Sequence, residues 1–348
     1  MRVANESAAP EQEKKRAARS GSVTDWFLAR ARGLTPFITL TVLVIFFAMS
    51  SDRFLEPDNL TNILRQISPL AIAATGLTFV VLCAEIDLSF ANIAGMSGVV
   101  LAAMHVAGHA TYAAPVALAL AVVLGLLSGF FTSRFSIPSF MVTLAMMQIA
   151  FGLTIKISQG KPYFPPAFFV PSFLRTLGTG EVFGGVPILA IVAGLVLLAG
   201  HLVLTYTRFG RYVYMTGGNR EAAELAGVRT RRVVLSCLTL SAFTGAVAGL
   251  LLVGRIGSAQ PSAGGDMLLN GIAAVVLGGT SLFGGEGGVK NTLVGLLIFG
   301  VLSNGLDLLP NVDVYTKGLI QGVILLSALI INVLALKLGN SRRATATD

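Results

Sequence analysis

Long apolar runs separated by short polar connections set the pattern of this chain. Each run holds roughly 20 residues, enough for a helix to cross a hydrocarbon core of about 30 Å. The runs cover residues 35–51, 67–84, 90–108, 112–132, 139–158, 186–205, 234–254, 267–283, 292–309 and 316–336. Because the bilayer core offers backbone groups no water, such segments are expected to be helical. The pattern therefore predicts an all-α, polytopic membrane protein with about ten transmembrane helices.

Composition and charge agree with this class. Apolar residues make up 54% of the 348 residues and charged residues only 12%, whereas about 25% of the residues of a typical soluble domain are charged. With the N-terminus inside, most of the 25 Lys and Arg residues fall on one side, as expected of cytoplasmic loops. Both termini are therefore expected in the cytoplasm. The net charge of +8 then requires no nucleic acid partner.

The pattern of apolar and polar segments divides the chain into a membrane domain and two tails. Residues 1–33 are polar and rich in Ala and Ser, which is typical of a disordered cytoplasmic tail. The transmembrane domain is predicted over residues 34–336, and a second cytoplasmic tail covers 337–348. Two connections are long: 206–233 on the cytoplasmic side and 159–185 outside. The outer one, rich in proline and aromatic residues, is either a surface connection or a lid or partner contact at the outer mouth.

A short polar helix is predicted inside the cytoplasmic connection. Asn219 is a good N-cap, because its side chain can accept hydrogen bonds from the first turn. Glu221 lies in that turn, where the helix dipole favours an anion, and Gly227 can adopt the left-handed conformation that ends a helix. A helix of about two turns is not stable alone in water. It therefore docks on another surface, unless it is an ordinary capped helix within a loop.

Several motifs in a fixed order resemble those of one transporter family. Glu221-Ala222-Ala223 followed by Gly227 resembles the cytoplasmic loop by which permeases of ABC importers contact their ATPase. A wider set, over roughly residues 60–335, resembles the permease subunits of ribose/xylose-type bacterial ABC sugar importers. Its members are Glu85-Ile-Asp-Leu-Ser89, Ile137-Pro-Ser-Phe-Met-Val-Thr-Leu144, Thr207-Arg-Phe-Gly-Arg-Tyr212, Gly217-Gly-Asn219, Ile272-Ala-Ala-Val-Val-Leu-Gly-Gly-Thr-Ser281 and Asn304-Gly305.

The resemblance implies a membrane-spanning permease that imports a monosaccharide across the bacterial inner membrane at the expense of ATP. Its partners would be an ABC ATPase subunit, a periplasmic sugar-binding protein and a second permease, either another copy of this chain or a close paralogue. The residues implied to form the ATPase-coupling helix are Gly218, Asn219, Glu221, Ala222, Ala223 and Gly227. Polar residues implied to ease the passage of the sugar are Asp87, Ser89, Asn270 and Asn304.

Sequence motifs argue against enzymatic chemistry in this chain. The glycine-rich run Gly278–Gly288 lacks the Gly-Lys-Ser/Thr step of a Walker A loop, which is missing elsewhere too. ATP and Mg²⁺ are therefore expected to act in the partner ATPase. His105, His109 and His201 show no metal-ligand spacing, so we expect no catalytic residue, no metal and no cofactor bound by this chain. The glycine-rich run is instead expected to let a helix end, turn and re-enter at membrane depth.

Two departures from the family pattern leave other functions open. Glu85 stands where the family commonly has glycine, and Leu268-Leu269-Asn270 replaces a common acidic step. A permease for branched-chain amino acids or another small polar solute would share the architecture. An ion-coupled secondary transporter would need intramembrane carboxylates, for which Glu85 and Asp87 are the candidates. ATP-driven transport predicts instead that Glu85→Gln is tolerated.

Overall fold

A computed structural model of the protein describes residues 35–165, 168–310, 312–313, 315–324 and 326–327. The two predicted tails and the end of the tenth apolar run lie outside the described residues. In chain order the helices are α1 (Thr35–Ser50), α2 (Pro57–Leu82), α3 (Phe90–Val106), α4 (Ala110–Phe135), α5 (Ser139–Ser158), α6 (Ser172–Thr179), α7 (Ile188–Tyr206), α8 (Arg208–Gly218), α9 (Arg220–Leu225), α10 (Thr230–Ile256), α11 (Gly264–Leu277), α12 (Val289–Asp307) and α13 (315–324).

Six of the described helices are long and apolar enough to cross a membrane: α2, α4, α5, α7, α10 and α12. The helices α1, α3 and α11 are apolar but shorter. The chain is thus a mostly helical, multi-pass membrane protein, as its pattern predicts. The ten predicted runs overlap α1 to α5, α7 and α10 to α13, whereas ten crossings and cytoplasmic termini stay predictions.

The two long connections hold more structure than the pattern predicted. The outer one contains α6 and a hairpin of two short antiparallel strands, β1 (Glu181–Val182) and β2 (Val186–Pro187), so the protein is not strictly all-α. Gly184 and Gly185 take positive φ in the hairpin turn, a conformation that glycine adopts at no steric cost. The cytoplasmic connection contains α8 before the predicted helix. The hydroxyl of Thr207 caps α8 by accepting the N–H of Gly210 at 3.1 Å.

The central helix is α10, which packs against α2, α3, α4 and α6. Close approach depends on glycines four residues apart, a spacing typical of tightly packed membrane helices. Gly125 and Gly129 of α4 face α10, and a Cβ at either position would overlap its backbone. Gly245 and Gly249 of α10 face α3 in the same way. The helices therefore meet backbone to backbone.

Two short helices begin inside the protein rather than at its edge. The first residue of α3, Phe90, has its carbonyl against Gly245, near the middle of the 27-residue α10. The first residue of α11, Gly264, lies against Ala91 in the first turn of α3. Since α10 is about 40 Å long at 1.5 Å per residue, both short helices begin near mid-depth. Non-helical backbone at such depth is stable only where protein or water covers it.

The connections gather at two ends of the helix bundle. We call one the arginine-rich end (83–85, 136–138, 207–229 and 278–288) and the other the proline-rich end (51–56, 107–109, 159–165, 168–187, 257–263 and 308–310). At the first end Glu85 pairs with Arg220. At the second, the backbone of Tyr163 pairs with that of Ala259. This division separates the connections predicted to be cytoplasmic from those predicted to be outside.

Candidate functional site

The helix α9 has the ends that its sequence predicts. Asn219 precedes it, and the side-chain Oδ1 of Asn219 accepts the backbone N–H of Ala222 at 2.9 Å. Glu221 lies in the first turn, where its charge interacts favourably with the helix dipole. The helix ends at Leu225, and Gly227 follows with a φ of +82°. The N-cap and the left-handed glycine are confirmed, in a helix of 6 residues.

Almost the whole surface of α9 faces solvent. Ala223 is buried at 2% exposure, whereas Leu225 is 92% exposed. Glu221 and Ala222 are exposed as well. Because so short a helix depends on tertiary contacts for its stability, one buried alanine leaves α9 incomplete. Its outer face is available to a partner, and Ala223 packs inward against the protein itself.

Positive charge surrounds α9. Exposed arginines flank it on both sides: Arg208, Arg211, Arg229, Arg231 and Arg232. A cluster of one sign steers oppositely charged partners and fixes their orientation more than it adds affinity. The surface around α9 therefore combines an apolar residue at its centre, Leu225, with a basic rim.

The helix α8 packs on the end of α2 and on the glycine-rich connection 278–288. Gly217 lies against the carbonyl of Leu82, which a Cβ at that position would overlap. The same carbonyl accepts the N–H of Gly285 at 3.0 Å. Tyr214 donates its hydroxyl to the carbonyl of Gly287 at 2.9 Å, and burial raises the pKa of the Tyr214 phenol, so the group remains a donor at neutral pH. The end of α2, the helix α8 and the glycine-rich connection thus contact one another.

The glycine-rich connection turns at the arginine-rich end, beside α8, and its position at membrane depth stays a prediction. Its glycines supply positive φ, +82° at Gly284 and +72° at Gly285, and let the chain pass close to Gly218. Phe283 at the tip is 85% exposed. The helices that begin inside the bundle are α3 and α11.

Asp87 and Ser89 lie together in the break between α2 and α3. Both are 1% exposed, and Asp87 Oδ1 accepts the N–H and the hydroxyl of Ser89 at 2.8 and 2.6 Å. Ile86 is held from two directions, because its N–H donates to Ser139 Oγ at 3.0 Å and its carbonyl accepts from the Thr143 hydroxyl at 3.1 Å. The extended backbone of the break is therefore hydrogen-bonded, as its depth requires.

A buried carboxylate links this break to α9. Glu85 Oε1 lies 2.5 Å from the guanidinium of Arg220, the first residue of α9, and their side chains are 9% and 48% exposed. In the sequence Glu85 departs from the family pattern, but no local pattern pairs it with Arg220, which is 135 residues away. The sequence contains one signal for this pair. An acidic residue replaces the common glycine, and an arginine-rich connection is predicted on the same side of the membrane.

Comparison with known proteins places the chain in a family. Residues 59–329 match the family described as branched-chain amino acid transport system / permease component. The chain belongs to this permease family. It is 37% identical to the ribose import permease protein RbsC of Haemophilus influenzae over 295 residues, which cover 84% of this chain and 91% of that relative.

Two further relatives extend the comparison. The ribose import permease protein RbsC of Bacillus subtilis is 37% identical over 307 residues, covering 86% of this permease and 92% of the relative. The xylose transport system permease protein XylH of Escherichia coli is 31% identical over 350 residues, covering 83% and 88% respectively. The resemblance to sugar permeases found in the sequence motifs is thereby confirmed.

The permease does not bring all four predicted pathway residues together. Asp87 and Ser89 share the break at mid-depth, whereas Asn304 lies near the proline-rich end. There the amides of Asn304 and Asn59 exchange two hydrogen bonds of 2.9 Å, which tie α12 to α2. Asn270 is half-buried on α11, and its side chain has no hydrogen-bond partner among the described residues. Asn304 is therefore engaged in a structural contact, while Asn270 keeps its polar group free.

In the part of the chain that the structure describes, no group of three or more His, Cys, Asp or Glu side chains is placed to hold a metal ion. The expectation that the permease binds no metal and no cofactor stays a prediction. The thiols of Cys83 and Cys237 are free and buried, with their sulfur atoms 3.5 Å apart between α2 and α10. They pack the two helices together.

Proposed function

We propose that this permease is the membrane-spanning subunit of an ATP-driven ABC importer of the bacterial inner membrane. It translocates a monosaccharide of the ribose or xylose kind, delivered by a periplasmic binding protein. The observation that carries this proposal is the 37% identity to ribose import permeases over 91% and 92% of their lengths. A match of this length includes the breaks before α3 and before α11 and the connection that contains α9.

In this proposal ten helices cross the membrane and both termini face the cytoplasm. The arginine-rich end is then cytoplasmic, in agreement with the excess of Lys and Arg in cytoplasmic loops. The proline-rich end, with the connection 159–185, faces the periplasm and receives the binding protein. A second permease, a copy of this chain or a close paralogue, completes the membrane unit.

The partner ATPase docks on α9. Leu225 supplies the apolar centre of the contact, and the exposed arginines supply its rim. Gly218 and Gly227 allow the chain to enter and leave the helix, while Asn219 and Glu221 stabilise its first turn. Because the chain contains no Walker A motif, ATP and Mg²⁺ act in the partner subunit.

Transport then follows from two states that differ in their contacts at both ends of the permease. Closure of the ATPase dimer displaces α9, and α9 is joined to the α2–α3 break through Glu85 and to the glycine-rich connection through α8. Such displacement shifts the equilibrium only if each state binds its partner with a different free energy. The polar groups of Asp87, Ser89 and Asn270 ease the passage of the sugar near mid-depth.

The test is uptake into proteoliposomes that contain the permease, its ATPase and its binding protein. Labelled ribose or xylose should enter only when both partners and internal ATP are present, and entry should survive an ionophore. Glu221→Lys and Gly227→Pro, which alter the two ends of α9, should abolish uptake while the permease stays folded and inserted. Uptake by the permease alone, abolished by an ionophore, would contradict the proposal in favour of an ion-coupled carrier.

The description of the family supplies one competing substrate class, branched-chain amino acids. The partner binding protein decides between the two, because it selects the solute before transport. Its affinity for ribose and xylose should exceed its affinity for leucine by orders of magnitude. The opposite preference would replace the sugar by an amino acid without changing the mechanism of the permease.

A further inference from the structure

We propose that the ion pair between Glu85 and Arg220 holds α9 in its resting position and thereby limits ATP hydrolysis in the absence of cargo. The two residues act as positioning residues for transport. The inference rests on the proposed ATP-driven function, but it concerns a contact that depends on the departure of Glu85 from the family's usual glycine.

Glu85 is held in place by its burial and by backbone hydrogen bonds around it. The carboxylate is 9% exposed, and the backbone N–H of Glu85 donates to the carbonyl of Val80 at 3.2 Å. Ile86, the next residue, is hydrogen-bonded to Ser139 and Thr143 of α5. Glu85 is therefore anchored to both α2 and α5, and any pull on its carboxylate reaches the break that contains Asp87.

The bend before Glu85 stores conformational strain. Ala84 has a φ of +60°, a left-handed conformation that is unfavourable for a residue with a Cβ. The family pattern has glycine at this position, as the resemblance implies, and glycine takes this conformation freely. The strained bend in this chain is held in place by the contacts on both sides of it, and the pair with Arg220 is one of them.

Arg220 is the more exposed member of the pair. Arg220 begins α9 and its side chain is 48% exposed. Among the described residues, the other side-chain bond from α9 to the membrane helices joins Glu224 to the hydroxyl of Thr230 at the start of α10. Ala223 is the single buried residue of α9, so packing of its own side chains contributes little to the position of this helix. Besides its short chain connections to α8 and α10, α9 is held by these two polar contacts.

A cavity beside the pair leaves α9 room to move. Its volume is about 310 Å³, and its lining includes both charged residues of the pair, Glu224 and Thr230 on one side and Ser136 in the α4–α5 turn on the other. Because the gap separates α9 from that turn, no close-packed surface among the described residues opposes a shift of α9 into it. The ion pair spans the edge of this cavity and holds α9 there by a polar contact rather than by packing.

The ion pair determines how much free energy is needed to displace α9. While it is intact, the ATPase must break it, or drag the α2–α3 break along with it, in order to displace α9. Loaded binding protein on the other side of the membrane offsets that cost, so hydrolysis and transport occur together. Without the pair, α9 can move while the break stays in place, so part of the ATP is hydrolysed without import.

The experiment measures ATP hydrolysis and sugar uptake in the same proteoliposomes, with the complete complex and with Glu85→Gln, Arg220→Gln and the double variant. Each single variant should raise hydrolysis without binding protein roughly two- to fivefold, the range expected for a partly exposed pair, and lower the sugar imported per ATP. Uptake itself should persist. The double variant should match either single one, because the two residues act through one contact.

Controls separate this role from general destabilisation and from the proposed function. Arg220→Lys keeps the charge and should retain most of the coupling, and Glu286→Gln removes an exposed acid at the same end and should change nothing. Additive single effects, or unchanged basal hydrolysis in both single variants, would overturn the inference. If wild-type uptake is independent of the ATPase, the proposed function fails before the pair is tested.

A distance measurement checks the position of α9 directly. Spin labels at Ala226→Cys, directly after α9, and at Ser136→Cys, in the lining of the cavity, report the separation of α9 from the α4–α5 turn in complexes with Cys83→Ala and Cys237→Ala. The distance distribution should be narrow with the pair intact and broader with Arg220→Gln. An unchanged distribution would show that other contacts position α9 and would refute the proposed role.

Discussion

Two short helices at opposite ends of the permease, α6 and α9, differ in what stabilises them. The helix α6 lies at the proline-rich end with Leu174 buried at 3% exposure. Gly178 of α6 presses on the backbone at Gly254 and Arg255 of α10, and a Cβ on Gly178 would overlap both residues. By contrast α9 buries a single alanine and exposes Leu225.

This contrast separates a structural element from a docking element. The position of α6 follows from close backbone packing, so α6 belongs to the fold of the permease itself. The position of α9 follows from a capped first turn, its chain connections and two polar contacts, so the proposed partner would complete it. Elements of low local stability are the ones expected to move in a transport cycle. In the proposed mechanism the proline-rich end of α10 is therefore the fixed side, and the arginine-rich end carries the moving part.

The largest effect is expected from crowding α6. Gly178→Ala places a Cβ in the backbone of α10, and such overpacking costs about 1–3 kcal/mol, occasionally more. The apparent melting temperature in detergent should fall by several degrees. The matched control is Gly194→Ala in α7, where a Cβ meets nothing within 4 Å and a helical alanine is slightly stabilising. Equal melting temperatures for the two variants would mean that α6 is not held by this contact.

The next effect concerns the exposed centre of α9. Leu225→Asp should leave the melting temperature of the permease unchanged, because the side chain is 92% exposed. Binding of the ATPase should weaken about 30-fold, the loss of about 2 kcal/mol that marks one of the few dominant residues of an interface. Affinity measured on nanodisc-embedded permease checks this result.

The control for Leu225 lies at the opposite end of the molecule. Phe183 in the β1–β2 turn is also 92% exposed, and Phe183→Asp should leave the affinity for the ATPase unchanged. If both substitutions weakened binding equally, loss of exposed apolar surface in general would explain the result. If neither did, the ATPase would dock elsewhere, and the comparison between α6 and α9 would lose its functional meaning.

The sequence predicted those features that depend on neighbours along the chain. The apolar runs, the Asn219 cap and the left-handed Gly227 are all local patterns with a local physical cause. The predicted positions of Asp87 and Ser89 in a break between helices were likewise correct, because a polar step between two apolar runs marks the end of a helix. The functional roles assigned to these residues stay predictions.

The features that the sequence did not predict join distant segments. The Glu85–Arg220 pair and the Asn59–Asn304 amide pair each depend on how helices are arranged, which no local pattern records. The depth at which α3 begins follows from its contact with Gly245, 155 positions further along the chain from Phe90. The glycine-rich connection was assigned to membrane depth because glycine permits a turn at any depth. Its location at the arginine-rich end is determined by contacts with α2 and α8.

The smallest effect tests whether α9 depends on its cap, as the comparison requires. Asn219→Ala removes the bond to the N–H of Ala222, and loss of such a cap typically costs about 1 kcal/mol. Affinity for the ATPase should fall about fivefold, because the helix must be ordered upon docking, and Asn219→Asp should restore it. At the start of α6 no side chain caps the helix, so Ser172→Ala should alter neither stability nor ATPase binding. An unchanged affinity for Asn219→Ala would mean that α9 is ordered by its contacts with Glu85 and Thr230 alone. It would then resemble α6, a helix held by its contacts with the rest of the permease, more than the structure indicates.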